Sequence, residues 1–126
     1  MQVIVDSSIW IDYFRKGENS DKLDFLIDEN IVVINDLILA ELVPFLIIKN
    51  QRKIISLLNS ISKLNLDINW EQISGYQHKC LKKNINGIGI PDLLIVQNAI
   101  QNHCEIYSLN SHFKLIKNAI EFKLTE

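Results

Sequence analysis

Glycine, proline and cysteine are scarce in this sequence: four, two and two of 126 residues. The four glycines form neither the P-loop nor the dinucleotide-binding fingerprint, so a phosphate-cradling glycine loop is excluded. Cys80 and Cys104 lie 24 positions apart with no Cys-x-x-Cys pair. That spacing supports neither a disulfide framework nor a thiolate zinc site, and it favours a reducing, cytoplasmic setting. An excess of one charge is missing too, since thirteen Lys plus Arg face fifteen Asp plus Glu for a net charge of -2. A uniform cationic coat for nucleic acid is thereby excluded, and any polyanion must meet a local patch or a metal. The longest apolar run, Leu37 to Ile48, is interrupted by Glu41 and Pro44. It falls short of the roughly 20 residues that span a bilayer, so no membrane association is expected. Residues Met1 to Asp6 lack the basic opening of a signal peptide, and the expectation is a soluble cytoplasmic protein.

What the chain does have is apolar material, 48% of its residues, enough for a core. No linker, charge block or fixed-period repeat divides it, so residues 1–126 are expected to form a single domain. Val3 to Val5, Ile31 to Ile34 and Ile106 to Leu109 are apolar without strict alternation, the pattern of strands covered on both faces of a parallel sheet. Leu64, Leu66 and Ile68 alternate with polar neighbours, as do Ile120, Phe122 and Leu124, and each set predicts a half-exposed strand. Helical spacing joins Trp70, Ile73, Tyr76 or Gln77, Cys80 and Leu81; it also joins Leu93, Val96, Ala99 and Ile100, and Ile54, Leu57, Leu58 and Ile61. Asn35 or Asp36 can cap a helix beginning near Leu37, and Pro91-Asp92 opens another that ends near His103. Alternating strands and helices imply an α/β fold, a three-layer α/β/α sandwich around a mostly parallel central sheet.

Ligands of such sheets gather beyond the carboxyl ends of the strands. Asp6, Asn35, Asp36 and Asn110 follow expected strands, and Asp92 stands at a helix start. Glu41 is the only charge in an otherwise apolar helix, where an unpaired buried carboxylate needs a cation or a hydrogen-bonding partner. Singly, Asp6 and Asp92 also read as capping or dipole-favoured residues, and Glu41 as a salt-bridged or partly exposed one. Gathered together, three carboxylates raise one another's pKa unless a divalent cation neutralises them, and their hard oxygens suit Mg²⁺ or Mn²⁺.

Four segments resemble, in order and spacing, the motifs of PIN-domain ribonucleases, most closely the small VapC-type toxins of toxin–antitoxin pairs. They are Val-Asp-Ser-Ser-Ile-Trp-Ile-Asp-Tyr-Phe at 5–14, Leu-Ala-Glu-Leu at 39–42, Gly-Ile-Pro-Asp-Leu-Leu-Ile-Val at 89–96 and Tyr-Ser-Leu-Asn-Ser-His-Phe at 107–113. The resemblance spans essentially the whole chain and implies a metal-dependent endoribonuclease. It places Asp6, Glu41 and Asp92 in the acidic cluster, with Asp6 and Asp92 on Mg²⁺ or Mn²⁺ and Glu41 holding a water or a second ion. It also implies a cognate antitoxin lying across the acidic groove. Asn110 departs from the pattern, since many relatives carry an acid there; it keeps an acceptor oxygen but adds no charge.

Ser7 or Ser8 can fix the Asp6 turn or hydrogen-bond a metal-bound water. Trp10, Tyr13 and Phe14 share a helix face that is expected to pack in the core, while Asp12 reads as a solvated helix residue. His112 is expected to pack or cap, and His78 and His103 have no partner spacing. For RNA contact the candidate clusters are Arg15-Lys16, Lys49 with Arg52 and Lys53, and Lys79 with Lys82 and Lys83; the last is favoured because its segment leads into the loop carrying Asp92. A phosphoacceptor receiver lacks its paired acids here, and a haloacid-dehalogenase-type phosphatase would need an acid at Ser8. The alternative from another class is a PIN-fold binding or assembly module with hydrolysis weakened or lost. Apolar surface on Leu37 to Ile48 and Ile54 to Ile61 suggests a homodimer.

Overall fold

The computed structural model describes all 126 residues. Five strands form one parallel sheet: β1 (Val3–Val5), β2 (Val32–Ile34), β3 (Ser62–Lys63), β4 (Glu105–Tyr107) and β5 (Lys123–Leu124), in the order β3-β2-β1-β4-β5. The three central strands are the buried runs: Val3, Ile4, Val5, Val33, Ile34 and Ile106 have at most 3% of their surface exposed. Parallel neighbours cannot be joined by a tight turn, so each connection carries helices. They are α1 (Ser7–Phe14) and α2 (Ser20–Asp28), then α3 (Asp36–Ile48) and α4 (Arg52–Ser60), then α5 (Trp70–Lys82) and α6 (Ile90–Gln101), and α7 (His112–Ile116) before β5. Helices α1 to α4 pack among themselves, as do α5 and α6. Right-handed crossovers put these groups on opposite faces, giving the expected α/β/α sandwich.

Successive strands run outward from β1 to β3, and the chain then crosses back to lay β4 on the other side of β1. The strand order therefore reverses between β1 and β4. A crevice opens at such a reversal, beyond the carboxyl ends of the strands.

The sequence reading fails at three strands, the first being Ile106 to Leu109: β4 ends at Tyr107, Leu109 is exposed, and Ser108 rather than Asn110 follows the strand. Leu64–Ile68 is not a strand: pairing ends at Ser62–Lys63, extended only by the Leu64 amide on the Ile34 carbonyl at 2.7 Å. Side-chain amides of α6 bind the next residues instead, Asn98 Nδ2 donating to Asn65 O at 3.0 Å, Gln101 Nε2 to Asp67 O at 2.8 Å and Gln97 Nε2 to Asn69 O at 3.1 Å. Likewise only Lys123–Leu124 of the last alternating segment pairs with the sheet, while Ile120 and Phe122 sit in the core.

Helix ends follow a common plan despite the scarcity of glycine. Lys16, Asn30, Asn50, Asn84 and His103 all adopt positive φ, between 54° and 60°. Each stands two residues beyond α1, α2, α3, α5 or α6. In each, that residue and the next donate amides back into the last turn, as Asn84 does to Leu81 O and Ile85 to Cys80 O. This is the Schellman arrangement, with asparagine taking glycine's usual place three times out of five.

Candidate active site

Asp6 leaves β1 at the point where the strand order reverses, its amide still bonded to Tyr107 O of β4 at 2.9 Å. Its side chain does not cap α1; instead Oδ2 accepts from Ser8 Oγ at 3.0 Å and Ser108 Oγ at 2.8 Å. The two hydroxyls are 3.2 Å apart, and each accepts a backbone amide, Leu109 N on Ser8 and Asn110 N on Ser108, both at 2.9 Å. A hydroxyl has one proton, and with its lone pairs turned to those amides both protons point at Asp6. Oδ2 is thus occupied, while Oδ1 takes no donor of the chain and is not sealed from solvent. One carboxylate oxygen is fixed and the other is presented.

Asp92 lies in the first turn of α6, where the helix dipole favours an anion. Its Oδ2 is 3.1 Å from His112 Nδ1 of α7. Burial raises the Asp92 pKa, the hydrogen bond and charge of His112 oppose the rise, and the Asp6 carboxylate adds to it. Glu41 projects from α3 and is exposed, so the full burial cost that its apolar helix suggested does not arise. It makes no ion pair or hydrogen bond. Its pKa is nonetheless raised, first by partial desolvation and then by the fields of Asp6 and Asp92. Three acids distant in sequence therefore repel one another at one edge of the sheet.

They do not close into a cage: no three His, Cys, Asp or Glu side chains converge as a ready-made metal site. A divalent cation that keeps several of its waters would need only one or two of these carboxylates. The free Oδ1 of Asp6 and the mutual repulsion of the acids supply the donor and the electrostatic demand.

The two helices carrying Glu41 and Asp92 are joined beneath the site. Asn35 caps α3, its Oδ1 accepting from Ile38 N at 2.9 Å, while its Nδ2 donates to Asn98 Oδ1 of α6 at 2.9 Å. Both residues are buried.

Other residues take different places from those the sequence suggested. Asp12 is not merely solvated: Oδ2 accepts from Asn19 N at 3.1 Å and holds the α1–α2 turn. Asn110 turns its Oδ1 to His112 N at 2.9 Å, capping α7. Trp10 is buried as expected and stacks edge-on against Tyr13. Lys79 and Lys82 are exposed on α5, and Lys83 donates to Asn118 O at 3.0 Å. Sequence reasoning missed Ser108 and the contact of His112 with Asp92. Ser108 was read as part of the strand expected over Ile106 to Leu109; with β4 ending at Tyr107 it is the polar residue that directly follows a buried strand.

A PIN domain profile matches residues 3–119. No curated protein matches the chain. Among solved structures, a chain of VapBC2 from Rickettsia felis, bound to a DNA fragment from their promoter, superposes with a TM-score of 0.75 at 23% identity, covering 99% of this chain and 100% of that one. A chain of DNA-bound VapBC from Salmonella typhimurium gives a TM-score of 0.77 at 14% identity, covering 99% of this chain and 97% of that one. At those identities the likeness is one of fold.

Proposed function

The chain belongs to the PIN-domain family, and from that premise we propose that it is a metal-dependent endoribonuclease acting as the toxin of a type II toxin–antitoxin pair. The observation that carries this reading is the electrostatic coupling of Glu41 to both Asp6 and Asp92 at the reversal point of the sheet. Asp6, through its free Oδ1, and Asp92 would hold Mg²⁺ or Mn²⁺. Bound there, the ion supplies Lewis-acid activation of water and offsets charge developing on the phosphodiester oxygens. Ser8 and Ser108 fix the Asp6 carboxylate in one orientation, and His112 does the same for Asp92. The Glu41 carboxylate accepts a hydrogen bond from the attacking water and aligns it with the phosphorus. Lys79, Lys82 and Lys83 are retained as RNA-backbone contacts.

The VapBC complexes from Rickettsia felis and Salmonella typhimurium share this fold. By analogy the partner of this chain is an antitoxin encoded beside it, and its setting is the cytoplasm. Ile47 and Ile48, 60% and 78% exposed at the end of α3, favour a homodimer through the α3–α4 layer. A second reading, a PIN-fold binding or assembly module without hydrolysis, is favoured by Asn110 alone, whose neutral side chain adds no fourth charge.

The deciding experiment uses protein purified away from its partner and incubated with total cellular RNA. Cleavage with Mg²⁺ or Mn²⁺ that stops with EDTA and in Asp6→Asn supports the nuclease. Intact RNA in every condition overturns it in favour of the binding module.

A further inference from the structure

Beside the acids lies a cavity of about 630 Å³ between the β4–α7 turn, α2 and the C-terminal segment. Its size falls within the roughly 300–1,000 Å³ of small-ligand sites. Three lysines line it, Lys22, Lys114 and Lys117, against one acid, Glu126. This local excess of positive charge is unusual in a chain whose net charge is -2.

The lysines are not equivalent. Lys22 is half-buried, donates to the main-chain carboxylate oxygen of Glu126 and lies 4.7 Å above the Tyr107 ring, which fixes it in the floor. Lys114 and Lys117 are exposed on one side of α7 and enter no ion pair or hydrogen bond through their ammonium groups. Ser108 also lines the cavity, so the residue whose hydroxyl holds Asp6 Oδ2 borders the cationic wall as well. A cleft whose acidic half and cationic half share a wall suits a polyanion that places one phosphate at the acids and another beside them. An isolated metabolite would need only one half.

We propose that this cavity is a phosphate subsite, in which Lys114 and Lys117, with Lys22 behind them, hold a phosphodiester of the RNA strand flanking the bond at the acidic edge. The proposal rests on the nuclease reading for the identity of the polyanion. Such contacts place the strand in register without reading its bases.

Binding of a short fluorescent single-stranded RNA, followed by anisotropy in EDTA across a salt series, tests the subsite without requiring cleavage. Lys114→Gln and Lys117→Gln, singly and together, are compared with Lys63→Gln on β3, at the opposite edge of the sheet. Loss of one phosphate contact flattens the dependence of log K on log salt by about 0.7 for single strands, so the double variant, which empties the one subsite, should flatten it by about that amount and bind several-fold more weakly. Lys63→Gln should leave the slope in place. In steady-state cleavage the double variant should raise KM and keep kcat. Equal losses in both sets, no loss in either, or no binding by the unaltered protein would overturn the subsite. Pocket-dependent binding without any cleavage would remove the nuclease reading and leave the subsite standing; cleavage with pocket-independent binding would do the reverse.

Discussion

Asp6 Oδ2 and Ser108 Oγ meet at 2.8 Å across 102 residues of chain. The contact exists because β1 and β4 are parallel neighbours, with Val5 opposite Tyr107, so the residues leaving each strand emerge side by side. Parallel pairing here does chemical as well as structural work, because the strand supplying the acid lies next to the strand supplying the hydroxyl that orients it.

Ser108→Ala should therefore act on Asp6 rather than on the core. It removes one of two donors to Oδ2 and the acceptor of the Asn110 amide. Loss of such an orienting partner typically costs about 10–100-fold in metal affinity or activity. Mg²⁺ titration by calorimetry should show it, with Ser8→Ala giving a similar loss. The double variant should fall short of the product of the two, because both hydroxyls serve one oxygen.

Glu41→Gln should flatten the pH dependence of stability measured in EDTA. The folded-state pKa of Glu41 lies above its ordinary 4.5, so its neutral form is the one the fold favours. That contribution is present at low pH and is lost as pH rises from the unfolded value through the raised one. The side chain is well exposed, so the gain for the glutamine variant near neutrality should be small, about 0.5 kcal/mol or less. Thermal melts from pH 4 to pH 7 in both proteins give the comparison.

Divalent cations should raise the melting temperature and release protons on binding below neutral pH. Binding to the native state alone stabilises by about 2.7 kcal/mol at a hundredfold excess over Kd. Proton release follows because the raised pKa values of Asp92 and Glu41 fall when a cation arrives. Calorimetry in two buffers of different ionisation enthalpy counts the protons, and Asp6→Asn should abolish both effects.

His112→Ala should push the acidic limb of metal binding to higher pH. His112 lowers the pKa of Asp92 against burial and the Asp6 charge, so its loss lets the carboxyl rise further and hold its proton longer. The Mg²⁺-induced shift in melting temperature, followed against pH, should lose its acidic end first. An unchanged profile would assign His112 to packing alone.

Asn98→Ala should be the most destabilising of these changes. It strips partners from buried Asn35 Nδ2 and from the Asn65 carbonyl, at about 1–3 kcal/mol for each orphaned group. Residues 64–69 should become sensitive to protease, and cleavage should weaken because α3 and α6 lose their link.

The sandwich and its three central strands were legible because burial on both faces writes itself as unbroken branched runs, as in Val3 to Val5. The placement of Asp6 and Asp92 at one edge of the sheet was legible because one follows a strand and the other stands at a helix start. Leu64 to Ile68 misled because its alternation is genuine, while its hydrogen bonds come from amides of Gln97, Asn98 and Gln101 around thirty residues away. Helix α2 was passed over although Leu23, Leu26 and Ile27 stand at i, i+3 and i+4, because Asp21, Lys22, Asp24 and Asp28 between them hide the short apolar stripe. Ser108 escaped because its strand was read two residues too far, and His112 because its partner lies 20 positions away, which no local pattern encodes.

The asparagine-written helix ends bear on how far this protein could be made more heat-resistant. Glycine would relax the left-handed backbone at positions 30, 50 and 84, yet it would also loosen the denatured chain by a comparable amount, about 0.4–1 kcal/mol. Those two effects nearly cancel where asparagine already tolerates the conformation. Lys16 tolerates it less well, and the room for improvement at helix termini is concentrated at that position.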